Sequence, residues 1–177
     1  MWRVLLYLGA ITTANVVTAS FAPMIAGPLI IPWGSYFVGA TFVLRDLVQN
    51  AYGKKNAYLA IIAALLLSAV ISGLLGDSLM IVLASAITFA VAESADTEIY
   101  SRLKTTLFKR VLYSGIVGGF LDSTIFVVIG LSPLGAGFVP WEAVPYAILG
   151  QMIIKFVMQL IGAGIIFKGF GLKYKEA

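Results

Sequence analysis

The chain has no cysteine and no histidine. Without cysteine there are no disulfides, thiolate metal sites or thiol nucleophiles. Without histidine there is no Ser-His-Asp triad, no H-E-x-x-H zinc site and no histidine proton relay. Charge is scarce too: Asp, Glu, Lys and Arg make up 11% of the 177 residues, against 60% hydrophobic. A soluble domain of this length needs more charge to keep its surface wet. The composition reads as an all-α, polytopic membrane protein. With no metal site and no nucleophile–base pair in view, an enzyme is not expected, nor is a cofactor. Lys and Arg exceed the acids, 12 to 8. That excess fits cationic loops beside a lipid bilayer better than a nucleic-acid surface.

What the sequence does hold is six apolar runs, at about 2–25, 32–51, 56–75, 78–98, 108–131 and 144–168. Each is long enough to cross a hydrocarbon core of roughly 30 Å as a helix. The connections are short, so neighbours should be antiparallel, and residues 1–177 should form a single six-helix domain. The first run imitates a secretory leader, with Arg3 ahead of an apolar stretch and small residues at 19–22. It is too long for a leader's core and is expected to stay as the first helix. Pro23, Pro28 and Pro32 break the chain after it, and Gly53 ends the second helix.

The charges between runs are sorted by side. Arg3 precedes the first run. Lys54 and Lys55 lie in the second connection, and Arg102, Lys104, Lys109 and Arg110 in or beside the fourth. Lys168, Lys173 and Lys175 follow the sixth. The odd-numbered connections carry no charge, Asp77 and Glu142. The positive-inside rule then predicts six spans with both termini cytoplasmic. Trp33 and Trp141 fall at the outer interface, where indole rings anchor; Trp141 also qualifies as a lid over a ligand.

Polar groups within the spans carry the functional reading. The fifth run holds Asp122 near its middle, on a helical face whose other members are Ser114, Gly115 and Gly118. A charge at that depth needs a partner or a ligand. The sixth run carries Gln151, Lys155 and Gln159 at i, i+4 and i+8, a polar stripe that should face the bundle interior. Counted along the helices, Asn15, Asp122 and Gln151 lie about 10 Å below the outer surface, with Lys155 a turn deeper. Arg45, Asp46 and Glu93 lie about 10 Å above the inner surface, and Asp96 lower still. Two layers result: an outer one suited to a ligand, an inner one suited to a gate or ion pair. Small or polar faces on the second helix (Ser35, Gly39, Asp46) and the fourth (Ser85, Thr88, Ala92, Asp96) suggest a cavity between them. A purely structural reading instead pairs Asp122 with Lys155 and Glu93 with Arg45. Interhelical polar contacts average about 0.6 kcal/mol, little return for burying so many ionisable groups.

Three segments carry a resemblance: RDLVQNAYGKKNAY at 45–58, ASAITFAVAESADTEIYSRLK at 84–104 and KRVLYSGIVGGFLDSTIF at 109–126. Together they resemble the VUT family of vitamin-uptake transporters, also called queuosine precursor transporters. Asp46, Tyr52, Gly53, Lys54, Ala84, Ser85, Asp96, Arg110, Ser114, Asp122, Phe126 and Lys155 match the family pattern. Asn50, where the family usually has Glu, departs from it. The resemblance implies uptake of a 7-deazaguanine such as 7-cyano-7-deazaguanine, its aminomethyl analogue or queuine, across a prokaryotic cytoplasmic membrane. It also implies a fold similar to the S components of ECF vitamin transporters. On that reading Asp122 accepts the paired N–H donors of a guanine-like edge. Asn15, Gln151 and Lys155 meet its carbonyl and ring nitrogens. Phe126, Trp141, Tyr36 or Tyr146 stacks on its flat face. The alternative is a substrate-binding subunit for another vitamin or purine-like solute, dependent on an ECF energising module. Ala10 and Ala14 supply the A-x-x-x-A pair that S components use in docking. A second copy of the chain also stays open as a partner.

Overall fold

The computed structural model describes residues 1–77 and 79–170, the last five by backbone alone. Ser78, where the fourth run begins, Lys173, Lys175 and the side chain of Lys168 lie outside the described residues. Each apolar run contains one helix: α1 Trp2–Ser20, α2 Gly34–Tyr52, α3 Lys54–Leu75, α4 Leu79–Arg102, α5 Leu107–Ile125 and α6 Val144–Phe170. After α5 the chain winds one wider, π-helical turn over Phe126–Leu131.

The largest departure from the expected boundaries is at the first run. Helix α1 stops at Ser20, Phe21 turns to extended backbone, and Pro23 follows. A proline has no N–H to continue the ladder and restricts the residue before it. The end of the expected first run and the connection after it instead form an antiparallel hairpin, β1 Met24–Ala26 with β2 Leu29–Ile31, Met24 opposite Ile31. The turn between the strands is Gly27-Pro28, with Gly27 at φ 60°.

Consecutive helices run antiparallel. At one end, the amino group of Met1 meets the Tyr52 hydroxyl at 2.6 Å. There too Lys54 pairs with Glu98 at 2.6 Å, and Arg110 Nε donates to the Tyr100 carbonyl at 2.9 Å. At the other end the hairpin lies over α6, where a β-carbon on Gly150 would meet Ile31 at 3.0 Å. These are called the basic end and the hairpin end below.

Four helices are long and apolar enough to cross a membrane: Lys54–Leu75, Leu79–Arg102, Leu107–Leu131 and Val144–Ile165. Helix α2 is not among them because it carries Arg45, Asp46, Gln49 and Asn50. It can afford them by being central, packed against α1, α3, α4, α5 and α6. The outward faces are apolar: Leu59, Ile62 and Leu66 on α3, Ile116 and Phe120 on α5, and Ile153, Val157 and Leu160 on α6 are exposed. Arg45, Asp46, Glu93, Asp96, Gln151, Lys155 and Gln159 are buried. This reverses the arrangement of a water-soluble domain. Lipid demands an apolar exterior, and ionisable groups survive at that depth only inside the protein.

Candidate functional site

Two polar groups occupy the interior. The first, toward the hairpin end, joins α5 to α6. Lys155 Nζ contacts Asp122 Oδ2 and donates to Ser123 Oγ at 2.9 Å and to Gln151 Oε1 at 3.0 Å. Its three N–H bonds thus have three acceptors, one an opposite charge. Helical spacing puts Gln151 one turn before Lys155, and Asp122 and Ser123 are adjacent on α5. Gln151 is buried, and its Nε2 has no hydrogen-bond partner among the described residues. A buried amide donor left unpaired costs about 1–3 kcal/mol. Asp122 keeps 15% of its side-chain surface open.

The second group, toward the basic end, surrounds Arg45. Its Nη2 faces Asp46 at 2.9 Å and also contacts Asp96, while Nε faces Glu93 at 3.3 Å. Nη1 donates to Thr97 Oγ1 at 2.7 Å and Gln49 Oε1 at 3.3 Å. Gln49 passes the network on to Ser101 at 2.8 Å. Three carboxylates from α2 and α4 therefore share one guanidinium, all of them buried. Asp96, expected somewhat nearer the inner surface in the same layer, contacts the same guanidinium.

The glycines of α5 let these groups approach. The Gln159 amide lies on Gly115 and donates to the Val111 carbonyl at 2.5 Å. On Gly118 a β-carbon would fall 3.0 Å from both Asp96 Cβ and Phe42 Cε1. A side chain at 115 would displace the Gln159 amide, and one at 118 would press on Asp96 and Phe42.

The other expected site residues lie elsewhere. The Asn15 amide donates to Ser68 Oγ at 2.6 Å, tying α1 to α3. Its side chain is thus hydrogen-bonded to α3 and not to the Asp122 group. Phe126 begins the π-helical turn one turn beyond Asp122, and its ring lies toward Gly130, 3.5 Å from a β-carbon built there. Trp141 is 49% exposed in the turn before α6. Tyr146 is exposed, and Tyr36 stacks on Trp33 with centroids 5.7 Å apart. Between the small faces, where a cavity was expected, Arg45 bridges Asp46 and Asp96. Small spaces of about 10 Å³, each room for one water, lie beside Asp46 and Asn50 and between Ser68, Ser72 and Ser85. Phe42, which the sequence reading passed over, packs on the α5 glycines between the two groups. Its only signal was its place on α2, three residues after Gly39.

Apolar helices around a buried polar interior make a helical membrane protein. A family model described as "Putative vitamin uptake transporter" matches residues 71–168, more than half of the chain. The chain belongs to this transporter family. The match takes in Glu93, Asp96, Asp122, Gln151 and Lys155. No curated protein and no solved structure matches the chain.

Proposed function

We propose that the chain takes up a 7-deazaguanine, of the 7-cyano-7-deazaguanine kind, at the Asp122–Gln151–Lys155 group. The observation that carries this is the buried, unpaired Gln151 Nε2 beside a carboxylate that holds only a lysine. A guanine-like edge presents two adjacent N–H donors and a neighbouring carbonyl. The donors suit a carboxylate and the carbonyl suits the free amide donor. Lys155 has Ser123 and Gln151 as further acceptors. It can therefore release Asp122 to the ligand without losing every partner.

Six spans with both ends cytoplasmic complete the reading. The basic end then faces the cytoplasm by the positive-inside rule. The hairpin end faces outward, placing the ligand group in the outer half. The Arg45 group with Asp46 and Glu93 forms the inner gate, since its ion pairs must part for a solute to pass.

The test is thermal stabilisation of the purified protein by a panel of deazaguanines, purines and pterins, together with uptake into liposomes. A ligand that binds the folded form raises stability with its concentration over Kd. Stabilisation by 7-cyano-7-deazaguanine, lost in Asp122→Asn, supports the proposal. Normal uptake by Asp122→Asn sinks it. Uptake by the purified chain alone excludes dependence on an energising module. Ala14, half of the A-x-x-x-A pair, is buried with its carbonyl 2.6 Å from a β-carbon built on Gly34. That face of α1 is committed to α2.

A further inference from the structure

We propose that the ring of Phe42 is the barrier between the two polar groups, and that solute passes only when the ring moves aside. This rests on the transport reading above and adds to it a gate that no charged residue provides.

The position of the ring follows from the glycines it covers. Phe42, on α2, is 1% exposed. A β-carbon on Gly118 would lie 3.0 Å from Phe42 Cε1 and 3.0 Å from Asp96 Cβ. A β-carbon on Gly119 would lie 4.0 Å from Phe42 Cε2 and 4.0 Å from Lys155 Cβ. One edge of the ring therefore adjoins an acid of the Arg45 group. The opposite edge adjoins the lysine of the ligand group. An apolar ring between two polar groups offers neither water nor solute a hydrogen bond, and hydrophobic constrictions close pores in this way.

The two glycines differ. Gly118 is tightly packed, because a side chain there would press on Asp96 and the ring. Gly119 is not, because 4.0 Å is ordinary van der Waals contact and a methyl group would fit. A side chain larger than a methyl group at 119 would press on the Phe42 ring and on the Lys155 stem.

The experiment uses full-length protein in vesicles loaded with a pH-sensitive dye, with no substrate present. Phe42→Ala is expected to dissipate an imposed pH gradient roughly tenfold faster than the parent. A variant as tight as the parent overturns the proposal. Should Phe42→Ala fail to insert, Phe42→Val removes less volume and is read the same way. A second arm crowds the ring instead. Gly119→Val is expected to keep stabilisation by 7-cyano-7-deazaguanine and to lose uptake roughly tenfold. Undiminished uptake overturns the gate. Joint loss of stabilisation and uptake overturns it too, by making Gly119 part of the binding surface. The leak arm needs no ligand, so a wrong substrate and a wrong gate give different results.

Discussion

Gly39 on α2 lies so close to α6 that a β-carbon built on it would fall 2.7 Å from the carbonyl oxygen of Lys155 and 2.8 Å from its Cα. Small residues let membrane helices approach backbone to backbone. Here the approach braces Lys155 from behind while its ammonium reaches Asp122 on α5. Gly39→Ala is expected to cost about 1–3 kcal/mol by overpacking, measured by unfolding in detergent. Gly119→Ala, which meets only ordinary contacts, should stay within about 0.5 kcal/mol of the parent. Equal losses from the two substitutions would contradict this geometry.

Asp122 and Lys155 should behave as a unit. Asp122→Asn leaves a buried ammonium without its counter-charge and removes the proposed ligand acceptor. The protein should still insert, with uptake abolished. In a double-mutant cycle with Lys155→Met, the pair of substitutions should destabilise less than the sum of the singles. The coupling expected for neighbours of this kind is about 0.5–3 kcal/mol. Additive losses would show that the contact contributes nothing.

Gln151 separates binding from folding. Gln151→Leu removes an unpaired buried donor along with one acceptor of Lys155. These effects oppose each other, so ligand-free stability should change by no more than about 1 kcal/mol. Stabilisation by 7-cyano-7-deazaguanine should fall markedly. If thermal shifts with ligand match the parent's, the amide takes no part in recognition.

Arg45 holds three carboxylates. Arg45→Met leaves Asp46, Glu93 and Asp96 buried without a cation, and breaking such a network costs about 3–5 kcal/mol. Adding Glu93→Gln and Asp96→Asn should restore much of the loss, because those charges then need no partner. Chemical unfolding of the single and combined variants measures both. The exposed Lys54–Glu98 pair is a useful contrast: its loss should barely change stability, since surface ion pairs are screened by water.

The sequence alone set the helix positions, the end at which the cations gather and the levels of the polar side chains. Hydropathy is a property along the chain, and a helix converts residue number into depth at a fixed rise. Asp122, Gln151 and Lys155 could therefore be placed at neighbouring heights, and Arg45 grouped with Asp46 and Glu93. The i, i+4 rule also gave each stripe a face. Asp46 and Asn50 share such a face, and it borders one of the two small cavities.

Only the tertiary structure decided which faces meet. Asn15 was grouped with Asp122 and Gln151, but the turn of α1 about its axis sends its amide to Ser68. Phe42 looked like any apolar residue until α2 crossed α5 at Gly118 and Gly119. Those crossings depend on glycines that meet a neighbouring helix closely: Gly39 against the backbone of Lys155, Gly115 against the Gln159 side chain, Gly118 against Asp96 and Phe42. Contacts of that kind join residues far apart in sequence, and no periodicity along one helix records the rotation of its neighbour.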